Sequence, residues 1–381
     1  MKIVADENIP FVHEAFSNLG EVTTCSGREM SNNNVRDADV LLVRSITKVN
    51  EALLEGSHIQ FVATATIGTD HINFNALKKR NITFASAPGS NAESVTQYIT
   101  AALLAMAQSH SFSLQEKTIG IIGNGNVGSR VARNATAMGM DLLLYDPPLA
   151  RETGDAKYLP LEALYEADFI TLHTPLVTEG EEPTFHLVDT DFLQKMKPSA
   201  ILINTSRGAV IDNNALLHRL QQKQIAGAVL DVWENEPNIS TELLKHVEIG
   251  TPHIAGYSFD GKVRGTKMIY EAVCHYFEIA PDWNEQQTMP AADVPHLTIQ
   301  TNNKTVEQIF TEALLPIYRI SKDDHQMREL LNLPKSEQGV LFDHLRKRYP
   351  RRREFCNTKI SLEPHSSNLA KRLQELQFDV T

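Results

Sequence analysis

His253 in TPHIAG, Arg207 in NTSRGAVID, and Asp231, Glu234 and Glu236 in VLDVWENEP are side chains of the kinds that move protons and grip anions. An imidazole exchanges a proton near neutral pH. A carboxylate beside it orients the ring and favours its cation, a place open to the acids of this run, of which Asp231 is better placed for a nicotinamide. A guanidinium offers a planar fork of donors to a carboxylate and the oxygen next to it. Such a set suits hydride removal from the carbinol carbon of a 2-hydroxy acid, with the hydroxyl proton passing to the histidine. Taken singly, each residue has a plainer reading: a polar turn histidine, an arginine paired with a surface acid, a solvated loop carboxylate. Their place behind the next motif weakens those readings.

That motif is Gly123-Asn124-Gly125-Asn126-Val127-Gly128, which follows the apolar run TIGII and opens a helical stretch. The first glycine makes a tight turn, the second lets the backbone approach a pyrophosphate, and the third lets helix and strand pack closely. The helix start, with Asn126 and Val127, then offers free N–H groups and positive dipole to phosphates. Asp146 lies 18 residues beyond Gly128, at the end of LLLYD. Its carboxylate is placed to accept from a ribose diol and to repel a 2′-phosphate, so NAD is the expected cofactor. Pro147 and Pro148 follow it, and Arg151 is the nearest cation. Thr174 is expected at the ribose or phosphates, Ser206 on the cofactor side of Arg207, Asp231 on the nicotinamide side, and His173 in a structural place or beside the cofactor. His71, His186 and His218 show no metal-ligand spacing, so no metal site is expected.

The elements that must hold these residues alternate in kind. KIVAD (2–6), DVLLVRS (39–45) and FVATAT (61–66) read as strands, with helical spacing over 10–19 and 50–56. A long Ala-rich helix is expected over 92–109. From 118 a second series follows: TIGIIG, a helix over 127–138, then DLLLYD, FITLHT, AILINTS, GAVLDVW and VEIGTPH. This βαβ rhythm predicts an α/β protein with two doubly wound parallel sheets, whose strand carboxyl ends converge on a crevice. KVRGTKMIYEAVCHYF reads as a returning helix and 281–295 as a linker. HLTIQ (296–300) and TVEQIFTEALLPIYRI then begin a small C-terminal α+β unit.

Composition removes other classes. Of 381 residues, 42% are hydrophobic and 22% charged, as in an ordinary globule, and the net charge of −11 leaves no cationic field for nucleic acid. The three cysteines, Cys25, Cys274 and Cys356, form no Cys-x-x-Cys pair, which points to a reducing cytoplasm. MKIVADENIP has no signal-peptide pattern, and AALLAMA is too short for the roughly 20 residues of a membrane span.

GNGNVG, Asp146, NTSRGAVID, VLDVWENEP and TPHIAG together resemble the NAD-dependent D-2-hydroxyacid dehydrogenase family over residues 1–280. The resemblance implies Arg207 for substrate binding, Glu236 as partner of His253, and His253 as proton donor and acceptor. It implies a split substrate domain, 1–93 with 257–284, around a Rossmann NAD domain, 94–256, and a C-terminal dimerisation domain, 285–381. DENIP, VRSITKVN, ATATIGTDHIN and TEGEEPTFHLVD narrow it to a member acting on a phosphorylated 2-hydroxy acid. There Ser45 and Thr66 hold substrate, Tyr257 closes over it and Gly256 lies near the cofactor, although Ser and Thr also serve commonly as turn or helix caps. The phosphate needs cations. Arg44 is one candidate, and the basic run Arg346, Lys347, Arg348, Arg351, Arg352 and Arg353 supplies Arg346 as another, against the alternative of a solvated helix face. The other readings are a different phosphoacid dehydrogenase of the family and a non-enzymatic NAD-sensing scaffold.

Overall fold

The computed structural model describes all 381 residues, and they form two compact units, Met1–Asn91 with Ser258–Ala291, and Ala92–Tyr257 with Ala292–Thr381. No helix is long and apolar enough to cross a membrane.

The first unit is built on β1 (Lys2–Asp6), β2 (Glu21–Cys25), β3 (Val40–Val43), β4 (Phe61–Thr64) and β5 (Thr83–Ala85), in the order β2-β1-β3-β4-β5. All pairings are parallel, with Val4 opposite Leu41 and Leu41 opposite Val62. Runs such as VLLV are apolar throughout because both faces are covered. Ile3, Val40, Leu42 and Phe61 point to one core, and Val4, Leu41, Val43 and Val62 to the other. The helix Phe259–Tyr276 returns to pack Ile269, Tyr270 and Val273 on the first face. Its start is capped by Ser258, whose hydroxyl accepts from the Gly261 N–H at 2.9 Å. The expected strands 2–6, 39–45 and 61–66 are β1, β3 and β4. The edge strands, β2 half-polar and β5 only three residues long, carried no comparable pattern.

The second unit holds β6 (Thr118–Ile122), β7 (Asp141–Tyr145), β8 (Phe169–Leu172), β9 (Ile201–Asn204), β10 (Gly227–Leu230) and β11 (Ile249–Gly250), ordered β11-β10-β9-β8-β6-β7 and parallel throughout. A single parallel bridge from Leu144 to Tyr158 extends the β7 edge. The chain therefore reverses direction of winding between β6 and β8, the crevice where open α/β sheets bind ligands. The helices Ala92–His110 and Gly128–Met138 cover one face.

A three-stranded sheet of β12 (His296–Gln300), β13 (Lys359–Glu363) and β14 (Asp379–Val380) follows, again wholly parallel. Its core is continuous with that of the six-stranded sheet: Ile299, Phe310, Ile360 and Leu373 cluster with Leu103, Ile121 and Ile203. Met327, Leu330 and Phe342 join the core on the opposite face. The single helix expected over TVEQIFTEALLPIYRI is two, Val306–Leu314 and Ile320–Arg328, because Pro316 has no N–H to continue the ladder.

Candidate active site

The glycine loop joins β6 to the helix Gly128–Met138, and its three glycines answer to three needs. Gly123 has φ +88°, and a Cβ on Gly128 would lie 1.9 Å from the Gly123 carbonyl oxygen. A Cβ on Gly125 would meet nothing within 4 Å, so this glycine leaves room beside the helix start. Val127 leads into the helix and Asn126 is exposed at the turn. Asp146, after β7, accepts the Asn124 N–H at 2.7 Å and the Leu149 N–H at 3.0 Å, which fixes its carboxylate beside the loop with lone pairs to spare. Arg151, one turn further, is ion-paired with Glu182.

Whether these residues suit a dinucleotide is decided by what the protein leaves unsatisfied. Asn124 Oδ1, Thr174 Oγ1 and Thr205 Oγ1 are buried with no hydrogen-bond partner, and they follow the neighbouring strands β6, β8 and β9. Buried polar atoms are nearly always paired, so three orphans at adjacent strand ends mark a polar ligand's place. The residues fit NAD. His173 hydrogen-bonds Thr171 at 3.0 Å, and desolvation pushes its imidazole down to about 3, so it stays neutral.

Arg207 sits where Asn204 ends β9. The Asn204 carboxamide accepts from the Ser206 N–H and hydroxyl at 3.0 and 2.9 Å and donates to the Arg207 carbonyl at 2.9 Å. Ser206 is thus buried in the turn, and Arg207 is half-buried above it. A Cβ on Gly208 would fall 2.0 Å from the Trp233 carbonyl carbon, so this turn lies directly against the one after β10.

The three acids of VLDVWENEP separate cleanly. Glu236 Oε2 is 2.7 Å from His253 Nδ1, while its Oε1 accepts the Trp233 N–H at 2.9 Å. Burial opposes ionisation of Glu236, but the charge and hydrogen bond of His253 outweigh it and hold the carboxyl below its ordinary value. Glu234 turns to a second histidine, His186, at 2.7 Å, and also accepts the Asn213 N–H at 3.0 Å. Asp231 is fully buried and accepts from the N–H groups of Ile254 and Ala255 at 2.8 and 2.9 Å and from Thr251 Oγ1 at 2.6 Å. Its place is beneath the histidine loop, and desolvation raises its carboxyl despite the nearby His253 charge. His253 itself has φ +57°, held by its N–H on the Asp231 carbonyl at 2.7 Å. Nδ1 being taken by Glu236, Nε2 is the nitrogen left for a substrate.

Gly256 lies in the turn closed by the Tyr257 N–H on the Ile254 carbonyl at 2.8 Å. The Arg346 guanidinium sits 5.9 Å from the Tyr257 ring centroid. Burial opposes its charge, yet Tyr257 and Glu236 together raise its pKa. The basic run is therefore not one solvated face. Lys347, Arg348 and Arg351 are exposed, Arg346 is half-buried, and Arg352 and Arg353 are only 5% and 8% exposed.

In the first unit, Arg44 is half-buried and Ser45 exposed just beyond β3. Thr66, beyond β4, is 2.7 Å from Thr64 Oγ1, which in turn is 3.0 Å from His71 Nε2. The Thr64–His71 contact, the Asn204 bracing of the Arg207 turn, the unpartnered Thr205 hydroxyl, the His186–Glu234 pairing and the burial of Arg352 were not foreseen from the sequence. No local motif announces them. No group of three His, Cys, Asp or Glu is arranged to hold a metal ion.

Residues 90–255 match the family model of the D-isomer specific 2-hydroxyacid dehydrogenase NAD binding domain, and residues 288–376 match a domain of unknown function. An erythronate-4-phosphate dehydrogenase of Cellvibrio japonicus is 47% identical over 99% of both chains. One of Tolumonas auensis is 44% identical over 97% of this chain and 98% of its own. A solved D-lactate dehydrogenase of Aquifex aeolicus, complexed with NAD and lactic acid, is 27% identical with a TM-score of 0.58, covering 73% of this chain and 96% of that one. With the glycine loop, the acid after β7 and the NAD-binding family match, these relatives place the chain: it is an NAD-dependent dehydrogenase belonging to the family of the erythronate-4-phosphate dehydrogenases, within the D-isomer specific 2-hydroxyacid dehydrogenases.

Proposed function

We propose that the chain oxidises 4-phosphoerythronate at C2 to 3-hydroxy-2-oxo-4-phosphooxybutanoate, a step of pyridoxal 5′-phosphate synthesis. The observation that carries the reading is the Glu236–His253 pair at 2.7 Å, at the end of β11 and near the Arg207 turn of the same sheet. Bound NAD supplies the hydride acceptor, held by Gly123, Gly125, Asn126, Val127 and Gly128 at the phosphates and by Asp146 at the ribose diol, with Thr174, Ser206, Asp231 and Gly256 on the cofactor side.

His253 Nε2 takes the C2 hydroxyl proton as the C2 hydrogen leaves with its electron pair. Glu236 orients the ring through Nδ1 and stabilises the imidazolium that forms. Arg207 grips the substrate carboxylate and the C2 oxygen with its fork, so negative charge developing there is met by a fixed cation. Arg44, Ser45, Thr66, Tyr257 and Arg346 are assigned to the substrate, Arg44 and Arg346 to its phosphate.

The domain roles follow: 1–93 with 257–284 for the acid, 94–256 for NAD, and 285–381 for homodimerisation, where exposed Leu315, just past the helix Val306–Leu314, and Val340, on the helix Lys335–Lys347, leave apolar surface. A cytoplasmic setting is supported by three cysteines, none in a disulfide.

The test is a substrate panel followed through reduced nicotinamide. The protein should turn over 4-phosphoerythronate far faster than 3-phosphoglycerate, and His253→Ala should lose about 10²–10⁴-fold of that rate. A preference for 3-phosphoglycerate would overturn the substrate. Near-normal turnover by His253→Ala would overturn the mechanism.

A further inference from the structure

The segment matched only to a domain of unknown function reaches the main chain on both sides of His253. Asp324 Oδ1 accepts the Gly250 N–H at 2.8 Å, three residues before the histidine. Arg328 donates to the carbonyls of Leu244, Val247 and Glu248 at 3.0, 2.9 and 3.2 Å, just ahead of β11. Beyond the histidine, the Tyr349 ring meets Tyr257 edge-on at 5.9 Å.

Arg352 is the most telling of these contacts. It is 5% exposed, lies 4.3 Å from the Tyr318 ring centroid, and donates to Ser94 Oγ at 2.6 Å and the Ala255 carbonyl at 3.3 Å. Ser94 Oγ donates to the same Ala255 carbonyl at 2.7 Å, and the Ala255 N–H is held by Asp231 at 2.9 Å. Both main-chain polar groups of the residue two beyond His253 are thus fixed. The hydrogen bonds of Arg352 go to neutral acceptors, while the buried Asp323 carboxylate is the opposite charge that feels it. Burying such charges is costly, and packing alone would be met by apolar chains of similar volume. A segment serving only association between copies has no need to place a charge there.

We propose that this C-terminal domain is a working part of the catalytic centre of its own chain, with Arg352 as a positioning residue that fixes the loop carrying His253. The inference rests on the reading of Glu236 and His253 as the proton-transfer pair. Loss of the clamp lets the imidazole move relative to Glu236 and to the substrate hydroxyl, and a misplacement of about 1 Å costs on the order of 10²-fold in rate.

The experiment compares Arg352→Met, Arg352→Lys and Ser94→Ala in the full chain, with His253→Ala alongside. For Arg352→Met we expect kcat to fall roughly 10- to 100-fold, the pH profile of kcat/KM to move, and NAD affinity and sedimentation to stay as in the parent. Arg352→Lys should recover part of the rate. Unchanged kcat and pH profile in Arg352→Met overturn the inference, as does a loss of turnover that only follows a change in sedimentation. Should Arg352→Met fail to fold, Ser94→Ala decides: a lower kcat with parental sedimentation supports the clamp, and parental kcat and pH profile overturn it. If His253→Ala keeps turnover, the underlying mechanism fails instead. If it loses turnover while the Arg352 variants do not, only the clamp fails.

Discussion

Glu236 supports the fold in a pH-dependent way and is proposed to serve the reaction as well, and a single variant probes both. Its carboxyl is held below the ordinary 4.5, chiefly because His253 overcomes the cost of burial. A depressed carboxyl stabilises the fold above its unfolded value, and that stability is lost as pH falls through the folded value. The gap in thermal stability between the parent and Glu236→Gln should therefore shrink as pH falls below the ordinary carboxyl value, as followed by thermal unfolding. In turnover, the same variant should displace the pH profile and lower its plateau. An unmoved profile would remove Glu236 from the reaction. Cofactor choice depends on a neighbour the motif does not contain. Asp146→Ala should weaken NAD and narrow its advantage over NADP, and Glu182→Ala should narrow that advantage too, by releasing Arg151 for a 2′-phosphate. Michaelis constants for both cofactors check this; an unchanged ratio in Glu182→Ala would mean that the ion pair is only a surface contact. His253, Arg207 and Asp146 were legible because each belongs to a short run with its own chemistry. Whether Glu234 or Glu236 would face the histidine was not legible from spacing, since it depends on how the turn after β10 lies against Gly208.

Strands buried on both faces announce themselves as unbroken apolar runs, and TIGII, VLLV and ILIN are where the sequence places them. EVTTC and TFA did not announce themselves, because an edge strand is half solvated and its residues are chosen for that. In the glycine loop the motif dictates the turn, and the geometry divides its glycines. Gly128 and Gly125 belong to one motif but to different constraints. Gly128→Ala puts a methyl 1.9 Å from a carbonyl oxygen and should cost roughly 1–3 kcal/mol in thermal or denaturant unfolding. Gly125→Ala meets no protein atom within 4 Å, so unfolding should be almost unchanged while NAD binding weakens. Equal losses of stability in both variants would contradict this division.

The C-terminal segment was legible as a separate stretch, after a proline-rich link, but not as part of another core. Its basic run was legible as a source of cations for a phosphate or as a solvated face, but not as partly buried, because Arg352 is covered by partners such as Ser94, more than 200 residues away in sequence. A chain ending near residue 285 should accordingly not behave as a tidy smaller enzyme. It uncovers the faces of the helices Ala92–His110 and Gly128–Met138 on which Val306–Leu314 and Ser367–Glu375 pack, and should bind a hydrophobic dye and aggregate in sedimentation. A soluble, dye-silent truncated chain would show that the shared core is dispensable. The first unit raises the same question in time instead of space. Its sheet is complete once residue 85 is made, but the helix that covers one face spans Phe259–Tyr276. At a synthesis rate of about 5–20 residues per second, that face, with Phe16, Phe61 and Ala63, waits on the order of 10–40 s for its cover. During that interval the nascent chain presents an apolar surface to the ribosome exit and to chaperones, so the yield of folded enzyme should depend on translation speed far more than its final stability suggests.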